Sequence, residues 1–378
     1  GIGVGGLKVT AVTAGFPTPL FTVLVAVTLL FAIAQVNGTL DTLARYGVRL
    51  ARGNRGLVPV VFFFLTAGLS TLGAGNIAAA ALIAPLAMAT AGRLGISAFL
   101  MTIMVANAAN AGAYSPIAPT GLVASELMAQ AGLPGFAWQT YWNTFFAQTV
   151  VAFAGYAVFG GWRLLRSGRE AEAGPVAEIA PLVRAQWLTL VVLGLVLVAV
   201  AFFDVDVIVA AFVGVAVLAL GRAADMEEAI RRVPWGTVLM VGGVSTLVAV
   251  LQHTGGIDVI VDLLVRISTP KTVTGSMAFV AGIVSAYSST IGVVLPTFLP
   301  TVPDLAARLG ADPLAIASSI NVGGHLVDVS PLSTIGALCV AAAPATEDPR
   351  RLFNRVLAWG LSMAVVGALV CWVFFGVL

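Results

Sequence analysis

The stretch from Asn321 to Gly336, NVGGHLVDVSPLSTIG, constrains this chain more than any other. It lies inside a hydrophobic region yet carries His325, Asp328, two serines, a threonine, a proline and three glycines. A continuous membrane helix does not accommodate that composition. Pro331 removes a backbone donor and disfavours helix just before it, and Gly323-Gly324 loosen the preceding turn. The pattern predicts a helix that breaks at mid-membrane depth, with its freed backbone groups facing a cavity rather than lipid. A second copy, Ala106 to Gly121 (ANAANAGAYSPIAPTG), sits 215 residues earlier, with Ser115-Pro116 answering Ser330-Pro331 and Gly121 answering Gly336. Two broken helices at matching positions point to the binding site of a transporter.

The rest of the chain provides the surroundings such a break requires. It is 59% hydrophobic and 10% charged, far from the roughly 25% charged residues of soluble domains. Its apolar runs are continuous rather than alternating, which predicts an all-α polytopic membrane protein and not a β-barrel. The near-neutral net charge of +2 carries no nucleic-acid signal. Cys339 and Cys371 lie in apolar segments and read as packing residues, not as a disulfide or a metal site.

Taken in order, Leu20–Val36 is the first span, followed by an amphipathic stretch bearing Arg45, Arg49, Arg52 and Arg55. Residues 57–92 are apolar but interrupted at Ser70–Asn76, which predicts a re-entrant hairpin with a polar tip. A broken helix over 96–131 and a span at 140–164 follow. A hydrophilic linker, 166–184, separates a first repeat (1–165) from a second (185–378). The second half opens with spans at 185–203 and 207–221, then a charged interfacial stretch at 222–232. A span at 235–253, an amphipathic stretch at 257–268, a hairpin at 272–302 with its tip near Tyr287–Thr290, a broken helix at 313–342 and a last span at 353–378 complete it.

The halves repeat one another. At an offset of 217, Pro17, Gln35, Gly38, Asp41, Val48 and Arg49 meet Pro234, Gln252, Gly255, Asp258, Val265 and Arg266; at 215, Arg93-Leu94-Gly95 meets Arg308-Leu309-Gly310. The first half lacks counterparts of the spans at 185–221, so further N-terminal spans are expected to precede residue 1. Placing Arg45–Arg55 in the cytoplasm and alternating sides puts 15 of the 19 Lys and Arg there, leaving Lys8, Arg266, Lys271 and Arg308 outside. That bias fits the positive-inside rule and makes the repeats inverted.

Inverted symmetry brings both hairpin tips and both breaks to the bilayer midplane. The candidate substrate-binding residues are then Asn76, Ser115, Thr120, Ser288, Ser289, Thr290, Ser330 and Thr334. Half-helices that begin at these tips and breaks present unpaired N–H groups and positive dipole ends, which suit an anion. Thr71, Gly75, Asn76, Ser289 and Asp328 are candidate ligands for a small hard cation such as Na⁺. His325 and Asp328 are candidate proton-coupling groups. Structural alternatives exist: Asn76, Ser289 and Thr290 as packing polar residues, Asp328 as a cap or a partner of His325 one turn earlier, and His325 as a satisfied structural histidine. No Arg or Lys lies in a tip or break, so a dianion there must be met by dipoles and co-bound cations.

The segments VNGTLDTL, the GAGN tip, GAYSPIAPTG and above all NVGGHLVDVSPLSTIGALC resemble the MatC-type dicarboxylate (malonate) carriers. These sit within the wider ion-transporter superfamily that includes the divalent-anion:sodium symporters. The resemblance implies an elevator-type, inverted-repeat carrier, dimeric, in a bacterial plasma (inner) membrane, importing a small dicarboxylate with Na⁺ or H⁺. It also implies a Ser-Asn-Thr motif at each tip, binding substrate carboxylate and sodium. Asn76, Ser288 and Thr290 fit that motif, whereas Gly75, Ile77 and Ser289 depart from it. A cation antiporter or oxyanion exporter on the same scaffold would carry carboxylates in both breaks, and here the first has Ala113 where the second has Asp328. An intramembrane hydrolase would need a nucleophile with its base, paired aspartates or a metal set, and the sequence has no GxSxG, no HExxH and no second aspartate in such a context. No enzyme activity and no resident cofactor are therefore expected, beyond Na⁺ as coupling ion.

Overall fold

The protein is described by a computed structural model over residues 8–48, 54–166, 181–203, 205–344 and 346–377. Among these every regular element is helical. Most of the predicted linker, together with Arg49, Arg52 and Arg169, lies outside the described residues.

A short α1 (Val9–Ala14) precedes α2 (Thr18–Val36), which starts with Pro19 in its first turn, where a missing N–H costs no hydrogen bond. Gly38, with φ 74°, turns the chain into the amphipathic α3 (Thr39–Val48). Next, α4 (Leu57–Leu69) runs into an irregular turn at Ser70–Ala74, where Gly73 (φ 115°) and Gly75 (φ 77°) reverse the chain into α5 (Gly75–Leu94). Hydropathy alone would read Leu57–Leu94 as one span of 38 residues. The reversal makes it a hairpin instead, and its open end is closed by Arg55, whose Nε donates to the Leu94 carbonyl at 2.6 Å.

The broken helix follows as α6 (Ala98–Gly112), an irregular segment over 113–118, and α7 (Pro119–Gln130). Then α8 (Ala137–Val158) spans, and a short α9 (Gly161–Arg166) leads to the linker. In the second half α10 (Arg184–Phe203) packs on α11 (Val207–Leu220), and α11, α12 (Met226–Arg232) and α13 (Trp235–His253) contact α2. The α14 (Gly256–Arg266) stretch leads into α15 (Val273–Tyr287), the inbound arm of the second hairpin. Its return arm is segmented: a π-type turn at Thr290–Val294, α16 (Leu295–Phe298), a 3₁₀ turn at Leu299–Thr301 and α17 (Val302–Leu309). Pro296, Pro300 and Pro303 account for the segmentation, since each removes an N–H from the ladder. The hairpin thus extends to Leu309 rather than stopping at 302. An ion pair between Arg308 and Asp262 holds that end against α14.

The second broken helix is α18 (Pro313–Val327), a segment over 328–333, and α19 (Thr334–Ala341), followed by α20 (Pro349–Cys371). Both breaks begin on the same register, Gly112 and Val327 being 215 residues apart. Each depends on a glycine. A Cβ at Gly121 would sit 2.0 Å from the Ser115 carbonyl oxygen, and one at Gly336 would sit 2.1 Å from that of Ser330. The Ser-Pro segments can fold over the second half-helix only because no side chain is there.

Large apolar side chains face outward along α8, α10, α11 and α13, Leu195, Leu220 and Leu247 among them. Among the described residues, five helical runs are long and apolar enough to cross a membrane by length and composition, the Leu57–Leu94 hairpin counted as one of them. Trp138, Trp142, Trp162, Trp187 and Trp235 are all exposed near helix ends, as interfacial anchors are. Cys339 and Cys371 are free and buried.

Candidate functional site

Three segments far apart in sequence enclose a cavity of about 230 Å³: the first tip (Asn76, Ile77), the second tip (Tyr287 to Ile291) and the second break (Asp328, Leu332 to Ile335). Asn76, Ser288, Ser289, Thr290, Asp328 and Thr334, all singled out from the sequence, line it. Tyr287 and Leu332, 82% and 55% exposed, stand at its open side.

The polar groups in this cavity are held by a dense set of hydrogen bonds. Asn76 donates through Nδ2 to Asn110 Oδ1 at 3.0 Å and accepts on Oδ1 from the Ile77 N–H. Asn110 in turn donates to the His325 carbonyl at 2.9 Å, so the first tip, the first break and the second break form one chain. Ser289 Oγ accepts from the Gly292 N–H and shapes the second tip, while Ser288 Oγ donates back to the Val284 carbonyl.

Asp328 lies 4.0 Å from His325 Nε2, beyond hydrogen-bond reach. Its closer partners are hydroxyls: Thr290 Oγ1 at 2.9 Å from Oδ2 and Ser285 Oγ at 3.1 Å from Oδ1. Ser285 and Thr290 also stand 2.6 Å from each other. Three close oxygen–oxygen contacts therefore share the two hydrogens that two hydroxyls bring. The arrangement is complete when a proton sits on Asp328 or when a cation is held among these oxygens, with the Gly324 carbonyl, 3.4 Å from Thr290 Oγ1, beside it. Hydroxyl, carbonyl and carboxylate oxygens suit a hard cation of the Na⁺ type. Among the described residues no cluster of three or more His, Cys, Asp or Glu side chains is placed to hold a softer metal.

The other predicted residues lie elsewhere. His325 is fully buried behind the cavity, with the Tyr114 hydroxyl 2.8 Å from Nδ1 and the two rings edge to face. Ser115 and Thr120 are buried at the first break without reaching the cavity wall, and Ser330 Oγ accepts from the Leu332 N–H inside its own turn. Thr71 meets the Tyr141 hydroxyl at 3.2 Å, toward α8, and Gly75 faces a different cavity. Ser285, and behind the cavity Tyr114 against His325, are the residues that the sequence reading did not bring into this region. Ser285 stands three residues before Ser288 on α15, a helical spacing that was open to inspection. Tyr114 immediately precedes the first Ser-Pro pair and carried no signal of its own.

A helical membrane protein with broken helices and a polar cavity at their breaks is a transporter. The chain belongs to the Na⁺/H⁺ antiporter family, whose profile matches residues 166–377. Residues 1–113 match the profile of the dicarboxylate carrier protein MatC N-terminus, in line with the resemblance read from the motifs. No curated protein matches the chain. Among solved structures, the YdaH transporter of Alcanivorax borkumensis is similar with a TM-score of 0.64 at 18% identity, over 97% of this chain and 88% of that one. MtrF of Neisseria gonorrhoeae, described as illuminating a class of antimetabolite efflux pumps, is similar with a TM-score of 0.64 at 15% identity, over 98% and 83%. At these identities the likeness is one of fold.

Proposed function

We propose that this protein is a secondary carrier that imports a small dicarboxylate, malonate or a C4 acid, coupled to Na⁺ or H⁺. The observation that carries the reading is the convergence of Asn76, Ser288, Ser289, Thr290, Asp328 and Thr334 on one cavity, where Asp328 and Tyr287 are the sole ionisable lining groups among the described residues. The dianion rests against the N-terminal amides of α19 and the hydroxyls and amide of the tips, while a cation at Asp328, Ser285 and Thr290 offsets charge. Substrate and cation then each bind better in the other's presence, which is the requirement for coupling.

Transport proceeds by an elevator movement of two inverted repeats, in a homodimer of the bacterial plasma membrane. Matched backbone features support the repeat: Gly95 and Gly310 have φ of 63° and 64°, and Gly38 and Gly255 both 74°. The contact of Asn110 with His325 supports it further, because these two residues correspond at the offset of 215 and touch each other, as residues on a two-fold axis do.

A second reading, cation antiport or anion export, is favoured by the family match over residues 166–377. One experiment separates the two: uptake of labelled malonate into proteoliposomes under imposed Na⁺ and pH gradients, applied separately. The import reading expects saturable accumulation driven by an inward cation gradient. Malonate-independent Na⁺/H⁺ exchange with no malonate uptake would replace it by the second.

A further inference from the structure

A second cavity of about 200 Å³ lies on the other side of the first tip, between that tip and the α2 and α13 helices. Its walls are mostly apolar, with Thr28 and Gln35 from α2, Asn76 from the tip, Thr237 from α13 and Arg232 as polar residues. Among the described residues no carboxylate lines it. Asn76, Ile77 and Ile291 line both cavities, so these three side chains are the partition between them. The two chambers differ in their charged lining residue, Asp328 in the first and Arg232 in the second. Arg232 is at the mouth, its side chain 44% exposed, and its Nε forms an ion pair at 2.9 Å with Glu228, which does not itself line the cavity. The Trp235 indole N–H donates to the Ile230 carbonyl at 2.9 Å and fixes the end of α12 from which Arg232 projects.

From this geometry we infer that the second cavity is an anion vestibule of the same pathway, in which Arg232 captures the carboxylate of a small dianion and Ile77 and Ile291 form the barrier it crosses to or from Asn76. The positive-inside assignment puts Arg232 with Arg222 and Arg231 on the cytoplasmic, Arg-rich side, so the vestibule serves that side. A guanidinium draws an anion into a low-dielectric mouth, while the apolar walls keep it from being held too tightly to leave. Ile77 and Ile291 make the partition largely apolar, so it blocks a charged solute until the tip shifts. The identity of the anion rests on the function proposed above; the sign of the vestibule does not.

The test uses Thr237→Cys in phosphatidylcholine nanodiscs, where no anionic lipid competes and the native Cys339 and Cys371 are fully buried. A sulfonate-bearing methanethiosulfonate is expected to label the introduced thiol several-fold faster than the ammonium-bearing one. Adding Arg232→Gln should abolish or reverse that ratio, Arg232→Lys should keep it, and malonate should slow labelling only while Arg232 is present. Equal rates for the two reagents, or a ratio indifferent to Arg232→Gln, would overturn the vestibule. An Arg232-dependent ratio without malonate protection or malonate transport would keep the vestibule and remove malonate as its occupant. In proteoliposomes, Arg232→Gln should raise KM for malonate offered on the Arg-rich side and leave KM on the opposite side unchanged; equal effects on both sides would count against it.

Discussion

Thr290→Val isolates the coupling site without changing its shape. Valine replaces the Thr290 hydroxyl by a methyl of similar size, so the tip keeps its packing and loses its contacts with Asp328, at 2.9 Å, and Ser285, at 2.6 Å. A hydrogen bond to a charged group contributes about 1.5–3 kcal/mol. At about 1.4 kcal/mol per factor of ten, that becomes a roughly 10- to 150-fold rise in the half-saturating concentration of the coupling cation. The assay is malonate uptake in proteoliposomes as a function of Na⁺ at fixed pH, and of pH at fixed Na⁺. Thr290→Ser keeps the hydroxyl and should stay near the parent value. If Thr290→Val left both cation dependences where they were, the hydroxyl triangle around Asp328 would have no part in coupling.

Other outcomes follow from the same geometry. Asn76→Ala removes a group that lines the cavity and links the first tip to Asn110; saturable uptake should be lost while the detergent-solubilised protein still elutes as a folded species. Gly336→Ala forces a Cβ to within 2.1 Å of the Ser330 carbonyl oxygen, so the break must shift, at a cost of about 1–3 kcal/mol or more, seen as a lower melting temperature. Gly121→Ala should behave alike at the first break. Tyr114→Phe leaves the buried His325 Nδ1 without its hydroxyl partner and should cost about 1–3 kcal/mol of stability in thermal unfolding, with KM unchanged because Tyr114 does not line the cavity.

Much of the fold was readable because membrane insertion leaves few ways to satisfy a backbone. Proline and glycine inside an apolar run must mean a break that faces protein or water, and that physics located both breaks and both tips. The return arm of the second hairpin was harder: Pro296, Pro300 and Pro303 lie close enough together that a sequence can mark disruption without saying how π, α and 3₁₀ turns will share it. The lining of the candidate cavity was legible where residues sit at the tips, since tips converge by topology. It was not legible at Ser115, Thr120 and His325, because which face of a half-helix meets a cavity is set by how the halves pack. Asn110 and Tyr114 matter through partners more than 200 residues away, and no local pattern encodes that.

The contact between Asn110 and His325 has a mechanical meaning in the proposed scheme. In an elevator movement both broken helices travel as one body, so the bond from Asn110 to the His325 carbonyl is a seam inside the cargo-bearing part rather than a sliding joint. A covalent tether between these two positions should leave turnover running, where a tether from either tip to a helix outside that body stalls it.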